Sequence, residues 1–308
     1  MATTTAKRAR TDSATPAVVA TRKRAPSPYP RWFYLPAAVV YGVLFVIPTF
    51  ASFYFSLTRW TIFDSHFIGL DNFRTFFREP ALVSGLTHTL IYAVVTSGLK
   101  VVLGMLLAVL LTSPIVARGY LRSVVFFPVL VSTIGVGLTF TVLMNPSQGL
   151  INQSLAAIGI QGPGWLTDPS YALLSVALVD VWKGVGLATI IYIAGIASIP
   201  QEYFEAARVD GAGRFAVFRQ IMLPLARPAT VTVIILSLIG GLRSFDLIWA
   251  MTRGGPGFTS DVIASVIYKQ YQAGFYGLST AGNVVLFIVV TAIVLPLSRF
   301  LNRKEVDR

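Results

Sequence analysis

The chain has 308 residues, 55% of them hydrophobic, a formal net charge of +12 and a mean hydropathy of +0.70. Only 12% of the residues are charged, against about 25% in soluble domains, which excludes a soluble globular protein and indicates a polytopic membrane protein. With so little charged surface, the basic residues are assigned to setting topology and not to binding nucleic acid. The chain has no cysteine, and its two histidines are His66 and His88, so disulfides, cysteine metal sites and H-E-x-x-H chemistry are excluded.

Residues 1–31 are rich in Ala, Thr, Arg and Pro, with Lys7, Arg8, Arg10, Arg22, Lys23 and Arg24 and no apolar period, and are expected to be a disordered basic tail. Six apolar stretches follow, at 32–57, 86–112, 121–144, 171–197, 229–251 and 278–297. Each approaches or exceeds the roughly 20 residues that cross a bilayer. Trp32, Tyr34, Trp60, Tyr171 and Trp249 lie near their ends, as an aromatic belt requires. The fold class expected is an all-α membrane protein with six transmembrane helices.

Orientation follows from the basic residues. Seventeen lie on one side of a six-span arrangement, namely the six of the tail, Arg31, Arg118, Arg122, Arg208, Arg214, Arg219, Arg227, Arg299, Arg303, Lys304 and Arg308. Five lie on the other side, Arg59, Arg74, Arg78, Arg253 and Lys269. The positive-inside rule places both termini, and the segment 198–228, in the cytoplasm. Between 145 and 170, turn residues flank 150–160, which reads as a short interfacial helix.

The segment 198–228 is the longest charged stretch with a helical pattern between two spans. Ser198 and Gln201 fit a capping box. Glu202, Glu205, Ala206, Ala207 and Arg208 favour helix. Gly211 and Gly213 break it, and Phe215, Phe218 and Met222 recur at helical spacing in a second short helix, which Pro224 and Pro228 end. A helix–turn–helix elbow of this kind, with small residues at its tip, lets another surface approach its backbone.

Eleven residues of the elbow, Glu205, Ala206, Ala207, Asp210, Gly211, Ala212, Phe218, Ile221, Leu223, Pro224 and Pro228, match the EAA loop of permease subunits of binding-protein-dependent ABC importers. The outer segment 67–73, FIGLDNF, resembles the FxGLxNF segment common in sugar-importer permeases, and 252–256, TRGGP, is similar to their T-x-GGP segment. The resemblance runs from about Leu35 to Leu301. It implies a type I importer of the carbohydrate-uptake branch, the maltose and glycerol-3-phosphate type, in a bacterial or archaeal cytoplasmic membrane. It divides the chain into the tail 1–31, a first helix and outer loop at 32–85, a type-1 permease domain at 86–302 and a cytoplasmic tail at 303–308. In the family the elbow is the coupling helix between helices 4 and 5. Glu205, Ala206, Ala207, Asp210, Gly211, Ala212, Phe218, Leu223 and Pro224 are therefore the implied ATPase-coupling residues. The implied partners are a second permease subunit, two ABC ATPase subunits, an extracytoplasmic solute-binding protein, a sugar-like solute and membrane lipid, with no nucleic acid. ATP and magnesium belong to the ATPase subunits. This chain has no G-x-x-x-x-G-K-[ST] motif and no credible nucleophile–base set, so no catalytic residue, metal or cofactor is expected in it.

Five charged residues fall inside the spans: Lys100, Asp180, Lys183, Arg243 and Asp246. Each basic residue near a helix centre costs roughly 2.5–3.5 kcal/mol on insertion scales. Asp180/Lys183 and Arg243/Asp246 are spaced i, i+3, so each pair shares a helix face and can neutralise itself. The other reading is a polar mid-membrane cavity lined by Asp180, Lys183, Gly184, Ser237, Gly241 and Ser244. In maltose-type relatives the corresponding helices bind the sugar, although the polar side chains here differ from that pattern. Lys100 has no partner in its own helix and is expected to pair with another span or another subunit. The resemblance implies sugar or oligosaccharide import by alternating access. A glycerol-3-phosphate or polyol permease is the near alternative, and an ion-coupled secondary transporter, an intramembrane enzyme and a non-transporting scaffold are the distant ones.

Overall fold

The computed structural model describes residues 30–61 and 63–306. Most of the expected basic tail, residues 1–29, lies outside the described residues, as do residues 307 and 308. The chain divides into two units, Met1–Pro48 and Thr49–Arg308.

In the first unit a single 3-10 turn at Arg31–Tyr34 leads into α1 (Leu35–Tyr41). Pro36 sits in the first turn of α1, where its missing N–H costs nothing. A π-type turn, Gly42–Val46, follows, with the Ile47 N–H reaching back to the Gly42 carbonyl. Pro48 explains it: the ring removes one donor and crowds the carbonyl four residues earlier, so the helix widens there. The apolar helical stretch Trp32–Ser56 is long enough to cross a bilayer, and none of its most apolar window is buried.

The second unit takes in most of α2 (Ile47–Ser56) and then a two-stranded hairpin, β1 (Thr58–Trp60) against β2 (Ser65–Phe67), with Arg59 opposite His66. The Asn72 side chain at the start of α3 (Asp71–Arg78) donates to the carbonyls of Ser56 and Thr58, both at 2.8 Å, and so fixes the hairpin. The helices α4 (Pro80–Thr112) and α8 (Ala172–Ala197) are long, apolar and straight enough to span. Between them lie α5 (Arg118–Leu130), α6 (Thr133–Leu143) and the short α7 (Leu150–Ala157). The elbow holds α9 (Gln201–Val209), α10 (Arg214–Val217) and α11 (Leu223–Leu225). Then come α12 (Arg227–Leu242), α13 (Asp246–Met251), α14 (Ile263–Gln272) and α15 (Tyr276–Val306).

Among the described residues four helices are long and apolar enough to cross a membrane, or up to six if each of two bent pairs counts as one span. Two of the expected apolar stretches are interrupted by breaks. The stretch 121–144 turns by 97° between α5 and α6. Pro128 weakens the last turn of α5, and Val131 and Ser132 are extended before a new helix starts. The stretch 229–251 is broken after Leu242, where Arg243, Ser244 and Phe245 leave the helix. Gly240 and Gly241 precede that break and supply little helix propensity. A further 67° bend separates the second arm of the elbow from α12. The helix α14 was not among the expected elements. It buries Ile263, Val266 and Ile267 against Phe76, Leu82 and Val285.

The core sits where α4, α8 and α12 cross. Small residues bring the backbones together, because lipid offers no hydrophobic drive between helices. A Cβ on Gly104 would come within 2.8 Å of the Ala188 Cβ, and one on Gly241 within 2.7 Å of the Ala93 Cα. One cluster joins α4, α6, α8 and α13 through Tyr92, Val136, Val176, Val179 and Ile248. Another joins α4, α8 and α12 through Met105, Ala188, Tyr192 and Val233.

Candidate functional site

The elbow is built by a helix stop that the sequence writes explicitly. Gly211 takes φ +72°, which an L side chain resists. The Ala212 N–H then bonds the Ala207 carbonyl at 2.8 Å, and the Gly211 N–H bonds the Arg208 carbonyl at 3.1 Å. This is the paired closure of a Schellman turn. The start of α9 differs from expectation. Ser198 does not cap α9; its hydroxyl donates to the Gly195 carbonyl at 2.8 Å and closes the end of α8 instead. Pro200 occupies the N-cap position, and no side chain bonds there. Only Ser198, Ile199 and Pro200 lie between the two helices, and the Ser198 hydroxyl reaches the free carbonyl behind it.

The elbow faces outward but is tied down at a few points. Glu205, Ala206, Asp210, Gly211, Ala212, Leu223 and Pro224 are exposed. Ala207 is buried, and Phe218 and Met222 pack on the cluster shared by α4, α8 and α12. Arg227, at the start of α12, donates to the Leu301 carbonyl of α15 at 3.2 Å. An apolar cleft of about 210 Å³ lies where Phe218 and Leu223 approach Met105, Leu106, Tyr192 and Thr230.

The charges inside the spans do not pair along their own helices. Lys100 Nζ lies 2.9 Å from Asp180 Oδ2, joining α4 to α8. The Lys100 side chain is 10% exposed and that of Asp180 23%. Gly184, one turn beyond Asp180, makes this possible. A Cβ there would lie 2.7 Å from Lys100 Cε, so the lysine stem occupies the space that a side chain would take. Asp180/Lys183 is thus corrected to Lys100/Asp180, and Lys183, half-buried, has no ion-pair partner among the described residues. Arg243 and Asp246 are not ion-paired either. The helix break between them removes the shared face that i, i+3 spacing presumes, and both are exposed. Ser237 and Ser244 are half-buried, and the buried Tyr92 hydroxyl is beside Asp180 and Ser244. Gly241 is buried at the crossing of α12 with Ala93 and Thr96.

The segment 252–261 is a third organised region, and its organiser was not identified from sequence. Asp261 is 1% exposed. It accepts from Ser265 at 2.7 Å and from Lys269 Nζ at 2.6 Å, while its backbone carbonyl is 3.0 Å from His88 Nδ1. Gly254, at φ +86°, lies so close to the Asp261 carboxylate that a Cβ would overlap it. Ser260 bonds Thr252 at 2.8 Å, and the exposed Phe258 ring lies under Lys269 Nζ, 5.0 Å from its centroid. The signal was Asp261 with Ser265 and Lys269 at i+4 and i+8, one face of the unexpected helix.

Several apolar spans closed by small residues, charges inside them, and an exposed polar elbow anchored in the shared core define a multi-pass membrane protein. The chain belongs to the family of binding-protein-dependent transport system inner membrane components, which matches it over residues 100–306. It is 34% identical over 276 residues to a probable ABC transporter permease protein, YurN, of Bacillus subtilis, covering 87% of this chain and 94% of that protein. It is 33% identical over 271 residues to the trehalose/maltose transport system permease protein MalF of Thermococcus litoralis, covering 86% and 92%. A chain in the crystal structure of a bacterial alginate ABC transporter, in complex with an alginate pentasaccharide-bound periplasmic protein, superposes with a TM-score of 0.78 at 25% identity. That match covers 88% of this chain and 93% of the other.

Proposed function

We propose that this chain is one of two permease subunits of an ATP-driven importer that receives a sugar or oligosaccharide from an extracytoplasmic binding protein. Family membership and the carbohydrate names of its relatives support the solute class. The segregation of basic residues supports a six-span arrangement with both termini and the elbow in the cytoplasm. In this reading two ATPase subunits carry ATP and magnesium, and one of them receives the elbow.

The observation that carries the reading is the elbow's division of labour. Glu205, Asp210, Gly211 and Ala212 are free to meet a partner, while Phe218 and Met222 hold the same segment to the crossing of α4, α8 and α12. Closure of the ATPases would move the elbow as a rigid body and rock the spans around a mid-membrane site, in alternating access. Asp180, Lys183, Ser237 and Ser244 are the polar groups offered to the solute, with Gly184 and Gly241 keeping the surrounding helices close. A phosphorylated polyol is the second reading, favoured by Lys183, a half-buried cation without an ion-pair partner among the described residues.

Glu205→Lys and Gly211→Asp test the coupling role. Reversing an interfacial charge removes a pair and leaves its partner unmatched, and a side chain at Gly211 resists the φ +72° that closes the turn. Both variants should insert normally, co-purify less ATPase and lose solute-stimulated hydrolysis in reconstituted membranes. Full attachment and full stimulation in both would refute the coupling role.

A further inference from the structure

Aromatic rings make an unbroken series of contacts at the end of the bundle away from the elbow. Trp60 of β1 meets Tyr276 at the start of α15, with ring centroids 5.5 Å apart, and Tyr276 meets Tyr271 of α14 at 5.3 Å. Tyr271 stacks on Tyr268 at 6.4 Å, and Tyr268 stands edge-on to Trp249 of α13 at 4.9 Å. Phe245, in the break between α12 and α13, closes the series against both Tyr268 and Trp249. Tyr271 is 56% exposed and Tyr268 36%, so the middle of the series is open. Core packing does not require these two rings, because α14 buries another face, that of Ile263, Val266 and Ile267. An aromatic belt does not account for them either. Belts place rings where spans end, whereas this series runs inward to Ser244 and Asp246, the polar groups at the helix break. The exposed face of α4 differs, presenting Val94, Val102, Leu106 and Leu110.

We propose that Tyr268 and Tyr271, continued inward by Trp249 and Phe245, form a stacking track that carries the rings of an oligosaccharide toward the polar groups at the break. The inference rests on the reading of the solute as a sugar and adds a second site, ahead of the mid-membrane one. A pyranose carries hydroxyls around its edge and C–H groups on its faces. The C–H groups are weakly positive and an aromatic face is negative, so the two stack while the hydroxyls stay in water. An aliphatic surface offers no such match. Several weak and similar positions in series let a solute both enter and leave, as movement along a path requires. The phenols of Tyr268 and Tyr271 add, at the rim of each ring, a hydroxyl that donates and accepts. At the inner end the rings give way to Arg243, Ser244 and Asp246, whose donors and acceptors can read hydroxyls.

The test uses the permease–ATPase complex in lipid nanodiscs, without its binding protein, and takes maltohexaose and alginate pentasaccharide as probes. Magnetisation saturated on the aromatic protons should pass to the ring C–H protons of the sugar. Titrating the sugar turns this transfer into an apparent affinity. Tyr268→Leu combined with Tyr271→Leu should weaken that affinity about tenfold, through the loss of two ring contacts. Tyr268→Phe combined with Tyr271→Phe keeps both ring faces and should retain it. Tyr271→Leu alone, at the more exposed ring, should weaken it in part and guards against a packing defect in the double variant. Equal affinity in the parent and the double leucine variant, or no transfer in the parent with either probe, would overturn the track. ATP-driven uptake of the same two sugars, and of maltose and trehalose, is scored separately with the binding protein present. Uptake of a sugar without a track leaves the proposed function standing and sinks this inference alone. Uptake of none of them removes the sugar reading and the track with it, so the two failures are distinct.

Discussion

Asp180→Leu leaves Lys100 without its partner inside the bundle. The two side chains are 10% and 23% exposed and 2.9 Å apart. Removing one member of a buried pair costs about 3–5 kcal/mol, because the remaining charge is left uncompensated. The partial exposure of Asp180 sets the expectation at the lower end, about 3 kcal/mol, or roughly a hundredfold in the folded-to-unfolded ratio at 1.4 kcal/mol per factor of ten. Lys100→Met combined with Asp180→Leu removes both charges and should recover most of that loss, since an apolar replacement of a buried pair is often neutral or stabilising. Lys183→Leu should be close to neutral for stability, because Lys183 does not neutralise Asp180. The assay is the fraction of solubilised protein that stays monodisperse through a heating series, compared across the three variants and the parent. Equal losses from Asp180→Leu and Lys183→Leu would refute the pairing. A double variant as unstable as Asp180→Leu would refute the reasoning about uncompensated charge. Transport by the stable double variant then asks a separate question: assembled protein without uptake assigns Asp180 to the solute path.

Gly254→Ala puts a Cβ onto the Asp261 carboxylate at a backbone φ of +86°, a strain of about 1–2 kcal/mol before the overlap is counted. It should speed proteolytic cleavage within 252–261 and reduce stimulation by the binding protein while the spans stay assembled, and unchanged cleavage would refute the role of Gly254. Topology is checked with an impermeant thiol reagent on intact cells. Phe63→Cys, at a position 95% exposed in the hairpin loop, should label, and Ala212→Cys at the elbow should not. Labelling at 212 from outside would invert the arrangement.

Much of the elbow was legible because its determinants are local. Gly211 stops α9 through its own φ, and the residues that close the turn lie within five positions of it. The cap was misassigned for an equally local reason. With only Ser198, Ile199 and Pro200 separating α8 from α9, Ser198 could serve either helix, and the Gly195 carbonyl received it. The long spans were legible from apolar length, but their bends were not. Pro128 and the Gly240–Gly241 pair weaken a helix without dictating an angle, and the 97° turn is set by what α6 packs against. The helix α14 was hidden because its apolar face is short and it lies in a segment read as an outer loop.

The sequence by itself determined the membrane class, the basic asymmetry, the position of the elbow and the family. These rest on sums along the chain and on contacts between near neighbours, which need no knowledge of what faces what. Only the tertiary structure decided the partners of the charges. A residue three places away shares a helix face with Asp180, but the rotation of α4 against α8 decides which cation reaches it. The missing side chain at Gly184 admits the Lys100 stem from another helix. The same holds for Arg243 and Asp246, whose spacing promises a pair that the break after Leu242 takes apart. A buried charge is neutralised by whichever opposite charge the packing brings within reach, and packing is a property of surfaces in space.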